Sequence, residues 1–263
     1  MNPLPTVRLF ALLAVLAPVS AAVAPQDPKP KGPDKEVADK IATLKDVVLD
    51  RKMARDDEGR QIIDDLLIKM QAGLDPKDEK DVVKALDSVF MRGKVRPHDD
   101  TKLYYAAAAA LGYCGTEGAK VLKNAFESKR FDDNKDWVPL REQLLKYLGR
   151  TKDESMVKWL TKIARTDVEA ALQAAAGDAL GNFEESKEQV RKDIVEELMT
   201  AYGSLAEKAG QMGSSNIEAQ NAQNRLATLQ DKWHSTLAKM TRQNFTTFRE
   251  WQTWYNKNKN LPW

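Results

Sequence analysis

Three stretches of this chain carry one stripe: Leu103/Ala107/Leu111, Leu140/Leu144/Leu148 and Leu172/Ala176/Leu180. Each runs at i, i+4, i+8, and each is followed at once by glycine, at Gly112, Gly149 and Gly181, with spacings of 37 and 32 residues. That spacing marks one face of an α-helix. A helix that recurs at such an interval is half of a unit that cannot bury its apolar face alone and must stack on its neighbours. The fold class expected is therefore all-α, an α-α superhelix of stacked helix pairs.

The rest of the chain fits that architecture. Helical periodicity covers residues 37–48, 59–70, 79–90, 101–111, 119–126, 138–148, 156–164, 168–180 and 189–209, and no stretch alternates with period two over strand length. Between them stand residues that end helices: Gly73 and Pro76, Gly93 and Pro97, Gly112 and Gly115, Gly149, Gly181. Each leucine–glycine helix is expected to pair with the amphipathic helix that follows it, anchored by Val121/Leu122/Phe126, Val157/Leu160/Ile163 and Val190/Ile194/Leu198. A weaker copy, Ile62/Leu66/Met70 with Val82/Val83/Leu86/Phe90, reads as the atypical terminal repeat. After residues 210–215 a long helix carries Ala222, Leu226, Leu229, Trp233, Leu237 and Met240. A last one opens on the capping box Thr247-Phe-Arg-Glu250 and carries Phe248, Trp251, Trp254 and Tyr255. The domain reading is thus 1–22 signal peptide, 23–35 proline-rich linker, 36–209 helical repeats and 210–263 a C-terminal helical cap. In that cap Phe248, Trp251 and Tyr255 are expected to be buried against the preceding long helix or the last repeat, while Trp254 and Trp263 point elsewhere.

The signal reading rests on Arg8 ahead of the apolar run LFALLAVL (residues 9–16), too short to span a bilayer, and on small residues at Val19, Ser20 and Ala21. It implies export to a periplasmic or extracellular space, with the mature chain starting at Ala22 or Val23. Four prolines within residues 25–35 mark an extended spacer. A single cysteine, Cys114, forms no internal disulfide and reads as a small core residue. Forty-one basic and thirty-nine acidic side chains, without a block of like charge, argue against nucleic acid as partner.

The segments AAAAALGYCGTEGA (residues 106–119) and VEAALQAAAGDALG (residues 168–181) resemble HEAT repeats of the bacterial, phycobilisome-lyase-like type, a likeness covering residues 59–205. The C-terminal WQTWYN (residues 251–256) resembles the tails of exported HEAT-repeat proteins of planctomycete-like bacteria. The resemblance implies a HEAT-like solenoid used as a scaffold or binding surface, and leaves its function open.

Chemistry is sparse in the sequence. His98 sits in a turn beside Asp99 and Asp100, and His234 adjoins Trp233; neither belongs to a paired His-Glu or His-x-x-x-His arrangement. No phosphate-cradling glycine loop occurs, and Asp64-Asp65 and Asp132-Asp133 read as surface and turn residues. No catalytic residue, metal or cofactor is expected. The expected role is a non-enzymatic exported scaffold that binds a protein or peptide on the inner helix face, through Lys102, Tyr105, Glu142, Lys146 and Asp178. Another class of function is a cell-wall or glycan-binding module that stacks sugars on Trp251, Trp254 and Trp263; an enzyme with an unrecognised site stands behind both.

Overall fold

The computed structural model describes residues 32–131, 135–210 and 217–263. The signal peptide, most of the proline-rich linker, Asp132-Asp133 and residues 211–215 of the breaker stretch lie outside the described residues. Among the described residues the regular structure is helical. The helices are α1 (Lys35–Leu49), α2 (Asp56–Gln71), α3 (Pro76–Met91), α4 (Lys102–Leu111), α5 (Gly115–Phe126), α6 (Val138–Arg150), α7 (Val157–Thr166), α8 (Ala170–Leu180), α9 (Glu188–Ala209), α10 (Ile217–Thr241) and α11 (Phe248–Asn258).

Local sequence sets the helix starts. Asp34 and Asp75 accept a hydrogen bond from the backbone N–H two residues on, which caps α1 and α3, and Pro76 follows at the first helical position. Asp56, Asp57 and Glu58 put negative charge at the positive end of α2. At α11 both halves of the capping box form, with the Glu250 carboxylate 3.0 Å from the Thr247 backbone N–H that donates to it.

Packing arranges the helices in two rows. The even-numbered helices touch in the order α2, α4, α6, α8, α10; on the other side α1 meets α3, α3 meets α5, and α9 meets both α7 and α11. The nine stripe residues are all buried. The pairing, however, differs from the reading above in three ways. Each leucine–glycine helix packs more extensively on the helix that precedes it than on the one that follows, α4 on α3, α6 on α5 and α8 on α7, and it packs most on the other even-numbered helices of its row. The α2/α3 copy is not terminal either, since α1 lies beyond it on both α2 and α3.

The third difference concerns the glycines. Gly112 and Gly181 have φ of −59° and −60°, and Gly149 lies inside α6, so none supplies the left-handed turn that ends a helix. Each instead faces the next helix of its row. A Cβ at 112 would meet Tyr147 at 3.2 Å, one at 149 would meet the Ala179 backbone at 2.5 Å, and one at 181 would meet Thr236 at 3.0 Å. Helices α4 and α8 do end at Gly112 and Gly181, as expected, whereas α6 runs past Gly149; all three glycines also act as spacers between rungs.

That contact identifies a further member of the row. Helix α10 carries Leu229/Trp233/Leu237 at i, i+4, i+8, all buried, followed by Ala238 where the other copies have glycine. Trp233 is accommodated because α8 offers Gly177, whose Cβ would lie 2.1 Å from the indole Nε1. The indole donates to the Gln173 carbonyl at 3.3 Å, and the Thr236 hydroxyl donates to the Gly177 carbonyl at 2.8 Å.

A buried arginine locks the other end. Arg96, 1% exposed, grips the Asp56 carboxylate through Nε and Nη2, both at 2.9 Å, and donates to the carbonyls of Val47, Val48 and Lys94. Those of Val47 and Val48 lie in the last turn of α1, where carbonyls lack intrahelical partners. One guanidinium thereby closes α1 and neutralises the acidic start of α2. Gly93 permits the loop's approach: its φ is +66°, and a Cβ there would lie 2.1 Å from the Val48 carbonyl oxygen. Beside the clamp, Phe90, Tyr104, Phe131 and Trp137 pack at ring separations of 5.1–6.5 Å, mostly edge to face.

Candidate functional site

The five residues expected on the inner face come from three consecutive even-numbered helices. Lys102 and Lys146 are exposed, whereas Tyr105, Glu142 and Asp178 are half-buried. No hydrogen bond, ion pair or ring contact joins any two of them. Lys146 lies over the Tyr147 ring, and Tyr105 packs against the core. Glu142 has a partner that the sequence did not suggest, Lys232 of α10 at 3.9 Å. Burial raises the Glu142 pKa above the usual carboxylate range, and Lys232 opposes the shift.

The Glu142–Lys232 pair shapes this surface. Helices α6 and α10 both pack on α8, so a bridge between their side chains passes over α8. There α8 presents Ala174, 1% exposed, in the register position that Glu142 occupies on α6. Ala174 is thus covered, with the longer side chains of Glu142 and Lys232 on the flanking helices. Asp231 and Ser235 continue the same register on α10, and both are exposed.

Elsewhere the surface offers three concavities of note. Between α3 and α5 lies a groove of about 570 Å³ walled by Val83, Asp87, Cys114, Glu117 and Val121. Burial pushes the Cys114 thiol up to about 12, so it stays protonated and weakly nucleophilic. A second cavity, of about 420 Å³, opens among α7, α8, α9 and α10 and is lined by Arg165, Lys208 and Arg225. The third is a shallow cleft of about 480 Å³ on α11, bordered by Phe245, Glu250 and Trp254.

The C-terminal aromatics are largely engaged with the fold. Trp251 is 1% exposed and donates through its indole to the Phe245 carbonyl. Phe248 lies 4.6 Å from the Tyr202 ring of α9, and Tyr202 shares a 2.9 Å hydrogen bond with His234 of α10. Trp254 and Trp263, expected to point away, pack edge to face on each other at 5.3 Å and are half-buried. Arg191 donates to the carbonyls of Met240 and Trp263, and Lys192 to that of Leu261, which fastens the last residues to α9. Burial lowers the His234 pKa below its ordinary value, with Asp231 opposing the shift.

His98 is exposed and lies 3.8 Å from Asp136. Among the described residues no three His, Cys, Asp or Glu side chains group as a metal site would require, and no helix is long and apolar enough to cross a membrane. Comparison of the chain with family models, with curated proteins and with solved structures finds no match.

Proposed function

We propose that the chain is an exported, non-enzymatic scaffold of the HEAT-repeat type, a right-handed solenoid whose inner face holds a protein or peptide segment. The observation that supports this reading most is the row of half-buried and exposed polar side chains that α4, α6 and α8 carry at matching register, with Glu142 paired to Lys232 of α10. A surface of mixed charge with a half-buried tyrosine, Tyr105, suits a polypeptide, which offers both backbone amides and charged side chains. The glycan alternative has less to stand on, since Trp251 is enclosed and Trp254 and Trp263 occupy each other's edges.

Photo-cross-linking tests the scaffold reading. A cross-linking amino acid at Lys146 or Asp178 should trap one and the same protein from an extracytoplasmic fraction, whereas the same group at Lys158, exposed on α7, should not. Reversing both charges, Lys146→Glu with Asp178→Lys, should abolish the adduct. Equal trapping from Lys158, or none from the inner face, removes the proposal. Binding to peptidoglycan that is lost on changing Trp254 would put the glycan reading in its place.

A further inference from the structure

The cavity among α7, α8, α9 and α10 holds a cation that is fixed in place and has no anionic partner among the described residues. Arg225 donates through Nη1 to the Asp167 carbonyl at 3.0 Å and to Gln173 Oε1 at 2.7 Å, and through Nη2 to the Val168 carbonyl at 2.6 Å. Gln173 is itself 3% exposed. These are three of the five N–H groups of a guanidinium, and Nε is in none of them. By contrast, Arg96 spends its Nε and Nη2 on the Asp56 carboxylate. The charge of Arg225 is thus anchored by neutral oxygens, and part of its donor set is unspent.

One neighbour adds a positive charge and another brings a cation already paired outside the cavity. Lys208, exposed at the end of α9, makes no ion pair among the described residues. Arg165 reaches the same cavity from α7, and its partner Glu197, at 2.6 Å, is not part of the lining. No carboxylate lines the cavity. The Thr166 and Thr200 hydroxyls donate to carbonyls of their own helices, but Ser204 has no such bond and is free to donate. Leu205 and Ala201 supply an apolar wall.

We infer that this cavity is an oxyanion site, built for a small organic anion with a phosphate or carboxylate head and a short apolar body. The head would meet the unspent edge of Arg225 together with Lys208 and Ser204, and the body would lie against Leu205 and Ala201. A guanidinium already held by three acceptors loses little freedom when an anion arrives, which favours binding. The site is independent of the inner-face scaffold reading and stands or falls apart from it.

Calorimetric titration of the full chain at low ionic strength tests the inference, with inorganic phosphate and butyrate as probes. At least one should saturate a single site, and which one does identifies the head group. Lys208→Gln removes no structural bond and should weaken binding about tenfold, the effect of one charge-assisted contact. Arg225→Lys, which keeps the charge but loses the planar fork, should weaken it by a similar factor. Lys158→Gln, on α7 and outside the cavity, should leave affinity unchanged. The inference is overturned if neither probe saturates, or if Lys158→Gln costs as much affinity as Lys208→Gln.

Discussion

Replacing Gly149 with alanine sets two physical effects against each other. Gly149 lies within α6 with ordinary helical geometry, so helix propensity alone favours alanine by about 1 kcal/mol. The new methyl, however, would stand 2.5 Å from the Ala179 carbonyl oxygen and 2.8 Å from Ala179 Cα and Cβ. These are backbone atoms and a Cβ, with no flexible side chain to turn aside, so α6 and α8 must separate. Overpacking of that kind costs about 1–3 kcal/mol, and the rigidity of the contact argues for the upper figure. The net is a loss of about 2 kcal/mol, or a melting temperature lower by about 4–8 °C in a fold of this size. Gly112→Ala is the internal control. Its methyl would meet the Tyr147 and Ala109 carbonyl oxygens at 3.2 Å, a strain that propensity offsets, so stability should stay within about 1 kcal/mol of the parent. Thermal unfolding followed by circular dichroism at 222 nm measures both. If Gly149→Ala melts at or above the parent, the glycines are not spacers between rungs and the account of the row is wrong.

Other expectations follow from the same structure. Arg96→Met leaves Asp56, its side chain 12% exposed, without its partner and should cost about 3 kcal/mol in urea unfolding, the lower end of what a broken buried pair costs; a loss below about 1 kcal/mol would mean the clamp is ornamental. His234 is held neutral, its folded pKa below the ordinary 6.5, so the unfolded chain takes up the proton first as pH falls. Its contribution is therefore complete above about pH 6.5 and declines below it, and His234→Gln should flatten the melting temperature between about pH 6.5 and 5. Deleting residues from Phe245 onward uncovers Tyr202 and removes the Arg191 and Lys192 contacts to the last residues. The shortened chain should melt lower and aggregate, as light scattering would register; an unchanged melt would mean these contacts contribute nothing.

Much of the fold was legible because burial repeats at helical period. Leu103, Leu144 and Leu180 announce themselves by register, and each is buried. The pairing was less legible, since an amphipathic stripe says that a helix has a partner but not which one. Helix α10 was read as part of a separate cap for a specific reason. Its stripe has tryptophan in the middle and alanine in the glycine place, and 57 residues separate Leu237 from Leu180. The complementary feature, Gly177 on α8, resembles any other glycine in an alanine-rich helix until Trp233 is set against it. Arg96 gave no signal either: a lone arginine before Pro97 looks like solvated loop, and its acceptors lie some forty to fifty positions away. The same holds for the oxyanion cavity, whose cations at 165, 208 and 225 share no local pattern. For the residues proposed for the inner face, register assigned each to its helix but gave no sign of the Lys232 contact that engages Glu142.

Every substantial contact in this fold joins helices one or two places apart in chain order, from α1 on α2 to α11 on α9. No helix waits for a distant part of the chain to arrive before it can pack. A chain with such local contacts pays little loop-closure entropy and folds quickly for its length. It can also gain order from whichever end first becomes free, one antiparallel pair templating the next. For a polypeptide delivered as an extended thread, whether from a ribosome or through a narrow channel, each emerging pair finds its neighbour already in place, and little apolar surface is left waiting.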